Sequence, residues 1–103
     1  MKLEIPKNNL INPMEIARKA GYSYFIDPVS GKESFVFRLT PDYYPRFHLY
    51  ISTNEKNIIF DLHLDQKKPS YNNNNKHSGE YDGPIVEKEL KRIAAWIRHY
   101  YQK

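Results

Sequence analysis

The sequence predicts an α+β domain: a four-stranded antiparallel meander sheet with two helices packed on one of its faces, in the order helix, four strands, helix. Apolar and polar residues alternate in the segments between residues 34 and 65, which is the period of half-buried strands. A capping signal near residue 12 and an apolar stripe after residue 83 indicate the two helices. Because the apolar faces of sheet and helices must cover one another, helices on one face of a twisted antiparallel sheet are the expected arrangement.

The first helix is predicted at about residues 13–20. Asn12 is a suitable N-cap residue, Pro13 takes the first helical position, and Glu15 completes a capping box. Gly21 follows, and a glycine in the left-handed conformation commonly ends a helix. This helix is therefore expected to be short and well delimited at both ends.

Four strands are predicted next, at residues 22–26, 34–40, 46–52 and 58–65. Pro28 and Gly31 favour a turn between the first two strands, and Pro41 and Pro45 interrupt the strand pattern before the third. The apolar residues of the strands and of the last helix are expected to form the core: Phe35, Phe37, Leu39, Phe47, Leu49, Phe60, Leu62, Leu90, Ile93 and Ile97.

A polar stretch at residues 66–83, with consecutive asparagines at 72–75, predicts a long loop. Gly83 and Pro84 then open the last helix, whose apolar residues recur at spacings of three and four from Val86 to Tyr100. At 103 residues, the chain is expected to form a single domain.

Composition narrows the functional classes. The chain has no cysteine, which excludes a disulfide scaffold and a cysteine-ligated zinc site. It contains no run of 18 apolar residues and begins without the apolar run of a signal peptide, so we expect a cytoplasmic protein with no membrane partner. The net charge of +4 and the pI of about 9.2 are compatible with an acidic partner such as RNA or DNA.

The most informative segment is the fourth predicted strand, where Asp61, His63 and Asp65 face away from the apolar residues. Three such ionisable groups at a period of two are unusual on a strand that merely needs a solvated face. A meander brings polar side chains of the neighbouring strands beside them, and the long loop is expected to return over the same surface.

One interpretation of this surface is a site for RNA or another phosphate-bearing ligand, in which basic residues contact phosphates and tyrosines stack on bases. The candidate binding residues are Arg38, Arg46, Tyr50, Lys67, Lys68, Tyr71 and Lys76. The candidate catalytic residues are His48 and His63, since a histidine between arginines can carry out acid–base chemistry on a ribose 2′-OH.

A second interpretation is a divalent metal site, with a hydrolytic role as one outcome. Imidazole and carboxylate groups suit zinc or manganese. The candidate ligands, from the fourth strand and the loop after it, are Asp61, His63, Asp65, His77 and Glu80. No HExxH motif or comparable signature accompanies them.

A third interpretation assigns no chemistry to this surface. Arg38, Arg46, Asp61 and Asp65 then form cross-strand ion pairs on a solvated face. The protein would be a protein-interaction module, with its tyrosines as contacts. No serine, histidine and acid are recognisably arranged for acyl transfer, and the sequence leaves the three interpretations open.

The predicted order of elements resembles, in topology, that of double-stranded-RNA-binding domains and HicA-type ribonuclease toxins. The Gly-Ser-His segment of such toxins is not matched, because the first turn here reads AGYSY at residues 20–24. Residues 44–48 (YPRFH), 62–71 (LHLDQKKPSY) and 77–82 (HSGEYD) resemble segments of a small bacterial protein family. This second resemblance brings no function with it.

Overall fold

Two helices and six strands make up the part of the chain that the computed structural model describes. That part comprises residues 1–7, 12–66, 79–80 and 83–101, with the backbone alone for 79, 80 and 101. The elements are β1 (Lys2–Pro6), α1 (Pro13–Lys19), β2 (Ser23–Ile26), β3 (Glu33–Arg38), β4 (Arg46–Thr53), β5 (Asn57–Asp65), β6 (Gly79–Glu80) and α2 (Pro84–Tyr101).

All strands belong to one antiparallel sheet with the order β1-β5-β4-β3-β2, and β6 pairs with β5 as well. The predicted meander is present as β2 to β5. The predicted strand number of four is wrong, because β1 and β6 extend the sheet beyond it. β1 pairs with the first part of β5, from Lys2 opposite Asp61 to Pro6 opposite Asn57, and its Leu3 and Ile5 pack partly buried against the core.

The predicted N-cap of the first helix and the left-handed glycine after it are confirmed. The Asn12 side-chain oxygen accepts a hydrogen bond of 3.2 Å from the Glu15 amide, and Pro13 opens the helix. Gly21 has a φ of +101°, which a residue with a side chain rarely adopts. The helix buries Ile16 and Ala17 against the sheet and α2.

The core lies between the helices and one face of the sheet. Phe60, Leu49, Leu62, Ile16, Val86 and Ile93 are its largest fully buried side chains. Phe37 is only partly buried. The prediction of Leu39 as a core residue is wrong. Strand β3 ends at Arg38, so Leu39 lies just beyond it, and Leu39 is 45% exposed. The register of β5 is confirmed, since Ile58, Phe60, Leu62 and Leu64 are buried on the core side and its ionisable residues face the opposite side.

A buried polar network joins α2 to the connection between α1 and β2. The Tyr22 hydroxyl donates a hydrogen bond of 2.7 Å to the Glu89 carboxylate. Arg92 donates to the same carboxylate at 2.8 Å and to the Ala20 carbonyl at 2.7 Å. Burial, followed by the hydrogen bond to Glu89 and then by the negative charge of that residue, raises the pKa of Tyr22 far above its ordinary value, so the hydroxyl stays protonated and keeps donating.

Among the described residues, no helix is long and apolar enough to cross a membrane.

Candidate metal centre

The pairing of β4 with β5 places two histidines directly opposite each other. The register pairs His48 with His63 and Arg46 with Asp65. Because side chains of a strand alternate between its faces, all four lie on the sheet face opposite the core. The two imidazole rings have centroids 5.0 Å apart.

The Asp65 carboxylate lies between these two imidazoles. Its Oδ1 atom is 2.9 Å from His63 Nε2, and its Oδ2 atom is 3.2 Å from His48 Nδ1. The three ligand atoms of His48, His63 and Asp65 all lie within 4.8 Å of one another. Two ligands that are each about 2.0–2.1 Å from a zinc ion lie roughly 3.0–3.4 Å apart. The spacing between the carboxylate and each imidazole is therefore close to that of neighbouring ligands around one ion.

The second nitrogen of His48 is held by a buried hydroxyl. His48 Nε2 lies 2.8 Å from Ser34 Oγ, which is itself 3.5 Å from the Phe25 carbonyl oxygen. If Ser34 donates to Nε2, then Nδ1 carries the proton and donates it to Asp65. If Ser34 donates to the Phe25 carbonyl, Nε2–H donates to Ser34 and the Nδ1 lone pair faces Asp65. In that second state two acceptors face each other, a contact that a proton or a metal cation between them stabilises.

Serine, histidine and aspartate are thus linked in the order of an acyl-transfer triad. Ser34, however, is only 2% exposed and does not line the cleft beside the two histidines. A nucleophile must reach its substrate, so this hydroxyl holds the His48 ring in place and is not placed to attack.

Asp65 stays ionised in this setting. Burial raises the pKa of its carboxyl group, but the hydrogen-bond contacts with His48 and His63, and the positive charge of these rings when they are protonated, lower it by more. The net result is a pKa well below the ordinary value for aspartate. The ionised carboxylate is the form that ligates a metal ion.

Arg46 is a buried residue that holds the Asp65 carboxylate in position. Its Nε donates to Asp65 Oδ2 at 3.2 Å, and its guanidinium lies 4.3 Å over the Tyr43 ring, 5.1 Å over Tyr44 and 5.0 Å over Phe25. The residue is 5% exposed, and its Nη1 has no hydrogen-bond partner among the described residues. Cation–π contacts compensate part of that burial. The positive charge of Arg46 is therefore engaged by Asp65 and the rings.

The cluster opens into a cleft of about 690 Å³ on the polar sheet face. Tyr50 covers one side of it, with its ring centroid 4.6 Å from that of His48 and 6.0 Å from that of His63. Lys32 Nζ lies 4.6 Å over the Tyr50 ring. The charged residues that line the cleft, besides the histidines, are Lys2, Asp27, Lys32, Glu33, Arg46, Asp61 and Asp65.

Two of the five predicted metal ligands, His63 and Asp65, lie in the cluster, and His48 takes the third place. Asp61 lies outside it: its carboxylate is 3.7 Å from the N-terminal amine, and its side chain is 42% exposed. The backbone of Glu80 pairs with Leu64 of β5. His77 lies outside the described residues.

The predicted nucleic-acid residues are brought together only in part. Arg46 and Tyr50 lie at the cleft, whereas Arg38 is exposed and lies 5.1 Å over the Tyr43 ring. Lys67, Lys68, Tyr71 and Lys76 fall outside the described residues, so their assignment stays a prediction. The predicted catalytic pair His48 and His63 is in contact through the shared carboxylate.

Sequence reasoning missed Ser34 and the aromatic cage of Arg46. Ser34 has the same strand parity as Arg38, so alternation alone was enough to place it on the polar face. Tyr43 and Tyr44 lie in the loop between β3 and β4. The two ends of this loop are joined by a hydrogen bond from the Leu39 amide to the Pro45 carbonyl oxygen. No periodic signal in the sequence predicts where such a loop packs.

The chain matches no protein-family model, and it has no significant similarity to a curated protein or to a solved structure. A function for this chain is therefore proposed from the chemistry of the His48, His63 and Asp65 cluster.

Proposed function

We propose that this protein binds one divalent transition-metal ion, zinc or manganese, through His48 Nδ1, His63 Nε2 and the Asp65 carboxylate. The observation that supports the proposal is the convergence of one ligand atom from each of these three residues within 4.8 Å of one another, beside an open cleft. Two imidazoles and one carboxylate are a recurrent donor set of hydrolytic zinc sites and of metal sites that keep open positions.

The surroundings of each ligand fit that role. A histidine that ligates a metal usually donates its other ring N–H to an oxygen, which orients the ring and fixes its tautomer. Ser34 Oγ, 2.8 Å from His48 Nε2, offers such an oxygen. Arg46 Nε, 3.2 Å from Asp65 Oδ2, orients the carboxylate in the same way.

The backbone also favours a preorganised site. His48 and His63 are directly paired on adjacent strands, and Asp65 follows His63 by two residues on β5. Ligands on paired strands lose little freedom when an ion binds, which favours tight binding.

Three protein ligands leave at least one position for water or substrate. A metal ion at such a site lowers the pKa of its bound water toward 7, which makes hydrolysis the reaction class that we propose. The neighbours of His48 support a ligand role over general acid–base catalysis, because both of its nitrogens already face Asp65 and Ser34.

The RNA-binding interpretation has less support from the described residues. Four of the seven charged residues that line the cleft, histidines aside, are acidic, and Arg46 is paired with Asp65. A phosphate backbone is bound by several cations along successive phosphates, whereas among the described residues only Lys2 and Lys32 line the cleft without an ion pair. We therefore rank metal binding above RNA binding.

Thermal unfolding tests the proposal. We expect Zn²⁺ or Mn²⁺ at micromolar concentration to raise the melting temperature of the chelator-treated protein, because a ligand that binds only the folded state stabilises it by about 2.7 kcal/mol at 100 times its Kd. The double variant His48→Ala with His63→Ala should lose this shift. His99→Ala, which removes an exposed histidine of α2, should retain it. Equal stabilisation of the wild type and the double variant would contradict the proposal.

A further inference from the structure

The acidic residues that line the cleft are all engaged by neighbours. Asp27 accepts hydrogen bonds from the amides of Val29 at 2.8 Å and Ser30 at 3.1 Å, within its own turn. Asp61 lies 3.7 Å from the N-terminal amine. Glu33 accepts a hydrogen bond from the Tyr24 hydroxyl, and this bond raises the pKa of Tyr24. Asp65 belongs to the cluster itself. Each of these carboxylates therefore already has a hydrogen-bond or ion-pair partner within the protein.

The lysines that line the cleft, unlike its acidic residues, have no ion-pair or hydrogen-bond partner among the described residues that would occupy their charged groups. Lys2 and Lys32 are exposed, and within the part of the chain that the structure describes neither ammonium forms an ion pair. Lys32 Nζ is held 4.6 Å over Tyr50, whose ring in turn lies 4.6 Å from that of His48. A cation–π contact leaves the N–H groups of an ammonium free to donate to a ligand. These two ammonium groups are therefore the charged groups of the cleft that remain available to an anionic ligand.

We infer that the cleft binds the phosphoryl group of a small organic phosphate ester. This inference rests on the proposed metal site: one phosphoryl oxygen occupies an open position on the ion, and the Lys32 ammonium pairs with another oxygen. A volume of about 690 Å³ exceeds what a phosphate ion needs, and it suits a small organic substituent as well. The Tyr50 ring offers an apolar surface for that substituent.

Cobalt-loaded protein and inorganic phosphate test the inference. Co²⁺ replaces zinc or manganese, and its visible absorption spectrum reports both the binding of the ion and a change in its ligands. We expect phosphate to change this spectrum in a saturable way, at constant ionic strength maintained with chloride. The Lys32→Ala variant should bind Co²⁺ as the wild type does, but its dissociation constant for phosphate should rise about three- to tenfold.

The control is Lys88→Ala, which removes an exposed lysine of α2 and should leave phosphate binding unchanged. A protein-bound Co²⁺ spectrum that phosphate does not alter would overturn the inference and leave the metal site standing. Equal phosphate affinity of Lys32→Ala and the wild type would overturn it as well. Absence of a protein-bound Co²⁺ spectrum would overturn both the metal site and the inference built on it.

Discussion

The Nδ1 atom of His48 lies 3.2 Å from the Oδ2 atom of Asp65, across the paired strands β4 and β5. His63 Nε2 approaches the other oxygen of the same carboxylate at 2.9 Å. One carboxylate therefore organises two imidazoles, and Arg46 holds that carboxylate from the side. This arrangement makes Asp65 important for both the stability of the polar face and the proposed chemistry.

Replacement of Asp65 by asparagine should lower the free energy of unfolding by about 2–4 kcal/mol, because the buried Arg46 loses its counter-charge. Urea unfolding followed by circular dichroism measures this difference. The matched control is Asp61→Asn, whose side chain is 42% exposed, and we expect a change within about 0.5 kcal/mol. Equal effects of the two substitutions would show that the contacts of Asp65 do not stabilise the fold.

The free energy of unfolding should depend on pH through the ionisation of the Asp65 carboxyl group. The folded-state pKa of Asp65 is depressed, so its contribution is present above its unfolded pKa of about 3.9 and is lost as the pH falls below that value toward the folded pKa. The stability difference between the wild type and Asp65→Asn should therefore be constant near pH 5 and shrink below pH about 4. Urea unfolding at several pH values tests this expectation, and a difference that stays constant down to pH about 2.5 would contradict it.

Substitution of Ser34 by alanine should weaken zinc binding about tenfold or more, since partners of this kind around a metal site typically contribute 10- to 100-fold to affinity. The change removes the hydroxyl that orients the His48 ring and leaves the strand intact. Calorimetric titration measures the affinity, with Ser23→Ala as the control because Ser23 is an exposed serine on the adjacent strand β2. Unchanged affinity in Ser34→Ala would mean that this hydroxyl does not position the ring.

Stability should also depend on the buried hydroxyl at the junction of the helices with the sheet. Tyr22→Phe removes the bond of 2.7 Å to Glu89 and leaves a buried carboxylate with one partner fewer, so we expect a loss of about 1–2 kcal/mol in urea unfolding. Tyr24→Phe is the matched control, because Tyr24 is 53% exposed and should contribute less than about 0.5 kcal/mol. If both variants are equally stable, the network does not stabilise the attachment of α2.

Strand alternation explains why much of this fold was predictable. The period of two in residues 46–52 and 58–65 correctly separated a core face from a polar face, and the structure then pairs His48 with His63 on the polar face. β1 escaped prediction because its five residues include Pro6 and stand apart from the other strands. Leu39 continued the alternation of β3 by sequence alone, but the strand ends one residue earlier.

The candidate site was predictable to a smaller extent. The pattern predicted that Asp61, His63 and Asp65 share one face of the sheet. In the structure, Asp65 contacts His48 on the neighbouring strand, whereas Asp61 lies outside the cluster. The enclosure of Arg46 by Tyr43 and Tyr44 depends on how a loop packs, which periodicity does not encode.

The most direct test of the central claim is to record the imidazole ¹⁵N chemical shifts of the histidines in the metal-free and zinc-loaded protein. One equivalent of zinc should shift the Nδ1 resonance of His48 and the Nε2 resonance of His63, with the proton of each zinc-bound ring on its other nitrogen. His99, exposed on α2, should not respond. Coordination-type shifts at these two nitrogens are the predicted result. Zinc that leaves both histidines unchanged, or that binds only elsewhere, would contradict the assignment of His48, His63 and Asp65 as one metal site.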